Sequence, residues 1–320
     1  MMAGAFAAIG PLFSVLAIGG LASFLPKMRT VHSALTTFVF YLALPAFLFD
    51  AVVSAPVNEG VPWAFILTAC GVTSSVAVLS WIVGMLTGAT GRKIAAPLAL
   101  AASYGNVGYL GVPIALSTLG PEAGLAAAIG QLLHNLLFML GYPTVRAFSS
   151  RLSKDSGAGK KVWIAVKKAL LTSPISLSVA LGITIALIEV PLPTLVSDTL
   201  GLFSQTAVPL AMFAVGLTLP TAVKDLMKGT IPGIPLLAGT AMKMFVLPVC
   251  TAVAVAQFAP SLEPAWSGTL ILMAAMPTST TAFILSQQED PDPTITASMI
   301  AVTSTLGIVS IPLTLTYFVL

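Results

Sequence analysis

Tyr104-Gly105-Asn106-Val107-Gly108-Tyr109-Leu110-Gly111-Val112-Pro113 is the stretch on which the reading of this chain turns. It lies inside a long apolar run, yet it carries three glycines, a proline and an amide. Gly and Pro weaken or break a helix. Within a bilayer every backbone N–H and C=O must still find a partner. A helix opened here must therefore line a cavity.

The surroundings supply the bilayer. Of 320 residues 57% are hydrophobic and 8% charged, with mean hydropathy +1.00, which is too apolar for a soluble globular domain. Apolar stretches near the ~20 residues needed to cross a membrane recur along the whole length. The expectation is an all-α membrane protein of ten segments, at about 5–26, 31–54, 62–87, 95–118, 121–147, 170–190, 199–220, 231–258, 265–287 and 293–319. The first run lacks a basic n-region and a clear cleavage site, and reads as a retained membrane segment. Cys70 and Cys250 each fall within an apolar span and read as small buried residues, without a disulfide or metal role.

An even number of spans puts both termini on one side, and the positive-inside rule chooses the side. With the termini outside, Lys27, Arg29, Arg92, Lys93, Arg146, Arg151, Lys154, Lys160, Lys161, Lys167, Lys168, Lys224 and Lys228 gather at inner ends or loops. The outer loops then hold Glu59, Glu122, Asp198 and Glu263, with no Lys or Arg. One missed or invented span would invert every charge after it. The basic stretch at 149–169 is the only extended polar connection and is expected in the cytoplasm. It separates a first five-helix repeat (1–148) from a second (170–320).

Five spans per half make the second half enter the membrane from the opposite side, so related halves form an inverted repeat. Pro45, Pro56 and Pro113 match Pro209, Pro220 and Pro277 at a common offset of 164 residues. Pro113 and Pro277 are thereby expected at equivalent places in the fourth and ninth segments. Corresponding Gly/Pro interruptions in two halves point to a transporter's binding site.

Asn106-Val107-Gly108-Tyr109-Leu110-Gly111-Val112-Pro113, with Ala274-Ala275-Met276-Pro277-Thr278 and the downstream Ala282-Phe283, resembles the auxin efflux carrier family, PIN-like carriers and bacterial organic-acid carriers. Lys243-Met244-Phe245-Val246-Leu247-Pro248 and Ile311-Pro312-Leu313-Thr314 extend the likeness to the whole chain. The resemblance implies ten helices in two inverted five-helix repeats, with broken fourth and ninth helices crossing at prolines. It also implies a substrate-carrying domain that moves elevator-fashion against a scaffold.

Where two broken helices cross, half-helix N-termini offer free N–H groups and partial positive charge, and can hold an anion with little formal charge. Asn106 stands seven residues before Pro113, the family's spacing, and its amide can donate to a carboxylate or patch the open backbone. Gly105, Val107 and Pro113 accompany it as candidate substrate contacts, and so do Pro277, Thr278 and Thr280, although the hydroxyls also suit freed carbonyls. Gln131, His134 and Asn135 form a polar stripe on the fifth segment, where Gln131 matches a family glutamine. Gln131 and Asn135 are candidate substrate ligands. His134 and Lys243, ionisable groups deep in spans, are candidates for coupling to protons.

No GxxxxGK[ST] loop or HExxH motif occurs, so neither ATP hydrolysis nor intramembrane metalloproteolysis is expected. The expectation is a secondary active transporter, not an enzyme, that carries small mono- or dicarboxylates such as malate or malonate across the cytoplasmic membrane by alternating access. No cofactor, metal or nucleic acid is expected. Its partners are the bilayer and the organic anion, with a homodimer left open. A sodium- or proton-coupled exchanger of related fold and a non-transporting ligand sensor are the rival readings.

Overall fold

The computed structural model describes residues 2–54, 60–149, 173–227, 233–289 and 294–319. Apart from Ser149, the expected linker at 149–169 lies outside these residues, as do Pro56, Glu59 and Lys228. Every named element is helical. In chain order they are α1 (Met2–Ala22), α2 (Pro26–Phe38), α3 (Leu44–Val53), α4 (Trp63–Leu86) and α5 (Gly88–Ser103). Then come α6 (Val112–Leu119), α7 (Ala123–Ser149), α8 (Pro174–Ile188), α9 (Thr194–Met227) and α10 (Gly233–Ala241). The chain closes with α11 (Leu247–Phe258), α12 (Pro264–Ala274), α13 (Thr280–Glu289) and α14 (Thr294–Thr314).

Wide π turns at Val39–Ala43, Val107–Gly111 and Met242–Val246 lead directly into α3, α6 and α11. Each ends two residues before a proline, at Pro45, Pro113 and Pro248 respectively. Proline lacks an N–H, and its ring collides with the carbonyl four residues back. Widening the preceding turn relieves both problems without ending the helix.

Among the described residues six stretches are long and apolar enough to cross a membrane: Pro26–Val53, Trp63–Leu86, Ala123–Tyr142, Thr194–Thr218, Gly233–Phe258 and Thr294–Val319. The other expected segments fall on shorter apolar helices, at Gly10–Ala22, Ile94–Ser103, Val107–Leu119, Pro174–Ile188 and Pro264–Ala274. Large apolar side chains point outward, with Leu86, Leu195 and Phe258 exposed by 79%, 79% and 82%. A protein surface of this kind is adapted to lipid. Cys250 shares it: the residue is exposed and Cys70 half-buried, which corrects the expectation that both are buried. A helix bounded by lipid has no need to turn its apolar side chains inward.

The helices pack as two groups. In one, α3 lies against α8 and α9, and α1 against α9. Gly19 of α1 and Gly216 of α9 bring those two backbones into contact, leaving no room for a Cβ at either position. In the other, α4 packs on α5 and α11, α12 on α7 and α11, and α14 on α5 and α10. α9 against α14, α3 against α7 and α1 against α6 join the groups.

Two interruptions lie at the centre, at 104–106 between α5 and the π turn, and at 275–279 between α12 and α13. They cross, with Gly105 opposite Thr278 as an antiparallel pair. Pairing across the crossing runs 104 with 279, 105 with 278 and 106 with 277, so it is Gly105 and not Pro113 that faces the second break. Pro277 lies in its interruption, but Pro113 is buried in the first turn of α6. The expectation that these two prolines occupy equivalent places is corrected accordingly. Gly105 opens the first helix, and the π turn then accommodates Pro113 without a second break.

Candidate functional site

The crossing satisfies its own backbone. The N–H of Asn106 donates to the carbonyl of Pro277 at 2.7 Å, and that of Ser279 to the carbonyl of Tyr104 at 2.9 Å. Thr278 closes two further positions: its N–H donates to Thr303 Oγ1 at 2.9 Å, and its hydroxyl to the carbonyl of Ala101 at 2.8 Å. The N–H of Gly105 donates to His134 Nε2 at 2.9 Å. These bonds supply the partners that a helix broken in lipid requires. A Cβ on Gly105 would sit 3.0 Å from Lys243 Nζ and 3.4 Å from the carbonyl of Met273, so a side chain there would press on the lysine and on the end of α12.

A buried basic side chain lies against Gly105. Lys243 is 0% exposed, and its ammonium donates to the carbonyl of Ala274 at 3.4 Å. It has no ion-pair partner among the described residues. Its electrostatic complement is the C-terminal end of α12, where unpaired carbonyls carry partial negative charge. His134 uses the Nε2 lone pair for Gly105, which leaves the imidazole proton on Nδ1. The ring packs between Tyr104 and Phe138, with centroids at 5.1 and 5.0 Å.

On the opposite side of the strand is a cavity of about 220 Å³, bordered by residues 104–109 together with Gln131, Asn135, Ser279 and Thr281, and walled by Phe40, Tyr41 and Leu44. A larger space of about 530 Å³ adjoins it, reaching Thr280, Ser304 and, on α2, His32 and Thr36. Asn106 and Tyr109 border both. Asn106 and Gln131 are only 5% and 6% exposed, yet neither side-chain amide has a hydrogen-bond partner among the described residues. Asn135 accepts from the Tyr104 hydroxyl through Oδ1 at 3.0 Å, which fixes its amino group as the free end. Gly108 holds Gln131 against the first turn after the break, since a Cβ there would lie 3.0 Å from Nε2. The arrangement offers an anion amide donors at the start of a helix, inside a low-dielectric enclosure.

Gly105, Asn106, Val107, Gln131 and Asn135 therefore come together on the smaller cavity, while Thr278 and Thr280 border the larger. Pro113 and Pro277 are buried and border neither. Phe40, Tyr41 and Tyr109 are cavity walls that sequence reasoning missed. Phe40 and Tyr41 sit in the π turn between α2 and α3, where an apolar sequence gives no sign of which residues border a cavity. No cluster of three or more His, Cys, Asp or Glu suited to a metal occurs among the described residues.

Comparison with known proteins places the chain among transporters. A family model described as "Membrane transport protein" matches residues 5–315. A Rhizobium meliloti (strain 1021) protein named "Putative malonate transporter" is 30% identical over 281 residues, which cover 87% of this chain and 84% of that protein. An "Uncharacterized transporter" of Methanothermobacter thermautotrophicus is 26% identical over 287 residues, covering 88% and 87%. The chain thus belongs to the membrane transport protein family of auxin efflux carrier-like proteins, an assignment that rests on nearly its full length.

Proposed function

We propose that this membrane transporter is a secondary carrier of small organic anions, mono- or dicarboxylates such as malonate or malate. The observation that carries the proposal is the pair of unpartnered amides, Asn106 and Gln131, on a cavity built against two crossed helix breaks. Asn106 borders both spaces and Gln131 the smaller one, where a carboxylate can accept from their amino groups. The similarity to a protein named for malonate transport supports the same substrate class.

In this reading the ten segments form two inverted five-helix repeats, with both termini outside and the basic connection in the cytoplasm. The group containing α4, α5, α7 and α10 to α14 carries the substrate against the group of α1, α3, α8 and α9. The separate packing of these groups supports an elevator-like alternation. Purified protein in liposomes tests the reading. Labelled malonate or malate should accumulate by counterflow, and absence of flux for every small carboxylate would refute it.

A further inference from the structure

A groove of about 440 Å³ opens on the outer surface of the protein between α4, α5 and α7. Ser74, Val78 and Trp81 of α4 form its rim at helical spacings of four and three, with Val78 57% and Trp81 39% exposed. Its floor is made by Ala96 and Leu100 of α5 and by Phe138 and Tyr142 of α7, all buried. No charged residue lines it among the described residues, so hydrocarbon suits it.

Gly141 lines the same groove from the interior of α7. Glycine weakens a helix interior, and between membrane helices it serves where a neighbouring backbone presses close. Gly84 of α4 is such a case, since a Cβ there would lie 2.8 Å from Ala95 Cα. At Gly141 a Cβ would meet no atom within 4 Å. The groove is therefore deeper here than the packing of the helices requires.

Its two ends differ in charge. α5 approaches the crossing as its residue numbers rise, and α7 leaves it: His134 bonds Gly105, Phe138 stacks on Tyr104 at 4.6 Å, and Tyr142 shares a cluster with Leu100 and Ala96. Ala96 and Tyr142 thus lie at the end away from the crossing. Arg92 stands four residues before Ala96 on α5, and Arg146 four residues after Tyr142 on α7, each one turn farther along the same helix face. Lys93 adjoins Arg92. Trp81 and Tyr142, whose amphipathic rings suit a membrane interface, belong to that end too, because Trp81 is one turn from the contact of Gly84 with Ala95.

We propose that the groove holds one acyl chain of an anionic glycerophospholipid, with its phosphate at the end marked by Arg92, Lys93 and Arg146. A zwitterionic lipid would make the same hydrocarbon contacts but leave the basic residues without a net counter-charge. The bound chain backs the wall of the binding cavity, because Phe138 lines the groove and stacks on Tyr104, whose hydroxyl holds Asn135 at 3.0 Å. The proposal needs the bilayer and does not depend on the carrier reading.

Thermal unfolding of the detergent-solubilised protein tests it with three probes: phosphatidylglycerol, phosphatidylcholine with the same acyl chains, and glycerol 3-phosphate as a headgroup without chains. A ligand of the folded state raises the midpoint by mass action. Phosphatidylglycerol should show an apparent affinity at least about tenfold above that of phosphatidylcholine, and glycerol 3-phosphate should produce no shift. Arg92→Gln combined with Arg146→Gln should bring the two lipids within about threefold of each other. Gly141→Leu should fill the groove and abolish the phosphatidylglycerol shift, and leucine is the better helix former, so the fold should persist. Equal wild-type affinities for the two lipids, or a phosphatidylglycerol shift that survives Gly141→Leu, would overturn the proposal. A glycerol 3-phosphate shift as large as that of the lipid would reduce the site to a basic patch. A lipid-free dimer that Gly141→Leu dissociates would assign the groove to a second copy of the chain instead. The lipid comparison needs only the wild type, so it decides the matter even if a variant does not fold.

Discussion

The two interruptions cross each other but do different work. At 104–106 the chain opens through a glycine, and the residue after it, Asn106, turns an unbonded amide toward two cavities. At 275–279 it opens at Pro277, and the residue after that, Thr278, directs both its N–H and its hydroxyl into the protein, to Thr303 and Ala101. The first break leaves its polar group available to a ligand, and the second uses its own to hold the structure. Near symmetry in the backbone therefore coexists with asymmetry in chemistry.

That contrast makes Asn106→Ala the substitution of greatest effect. It removes a group facing the cavity and no internal hydrogen bond, so transport should fall about a hundredfold, equivalent to about 2.7 kcal/mol, with the melting temperature little changed. A matched loss of thermal stability would place Asn106 in the scaffold instead. Gly105→Ala comes next. Its methyl group meets Lys243 Nζ at 3.0 Å, and moving that ammonium should cost about 1–3 kcal/mol in stability as well as activity. Unfolding of the detergent-solubilised variant measures it, and an unchanged midpoint would show that the lysine yields freely.

Thr278→Val should cost about 1–2 kcal/mol of stability by orphaning the carbonyl of Ala101. Its KM should stay within about twofold of wild type, since that hydroxyl is committed inward. A large KM change without destabilisation would erase the distinction between the breaks. Pro113→Ala should matter least. The π turn before it already relieves the ring and the missing N–H, so a shift below about 1 kcal/mol is expected. Loss of transport in that variant would restore Pro113 to the site.

Much of this was legible in the sequence. The glycines and amide of 104–111 announced an opened helix, and the Pro277 region announced its counterpart, because breakers inside apolar runs demand compensation. The stripe of Gln131, His134 and Asn135 was legible from helical spacing, and the structure brings all three to the crossing. What each does was not. His134 and Asn135 divide between backbone and tyrosine partners that depend on tertiary approach. The burial of Lys243 was not legible either, since a long side chain near a helix end can equally reach the interface. Proline spacing misplaced Pro113 because a proline in an apolar run can mark either a break or a helix that a π turn lets continue, and composition does not tell the two apart. The walls at Phe40 and Tyr41 stayed hidden for another reason. In a membrane both the lipid face and the core face are apolar, so hydropathy cannot tell them apart.

Among the described residues two backbone hydrogen bonds, Asn106 to Pro277 and Ser279 to Tyr104, stitch the breaks to one another. Their consequence concerns biogenesis. While the chain is being made, the first break has no partner until the ninth expected segment has been inserted, by which time most of the protein is in the bilayer. The cavity beside the crossing is therefore assembled late, and a chain truncated before residue 277 lacks the Ser279 and Thr281 part of its lining. Co-expressed halves, each useless alone, should regain activity only by meeting at this seam.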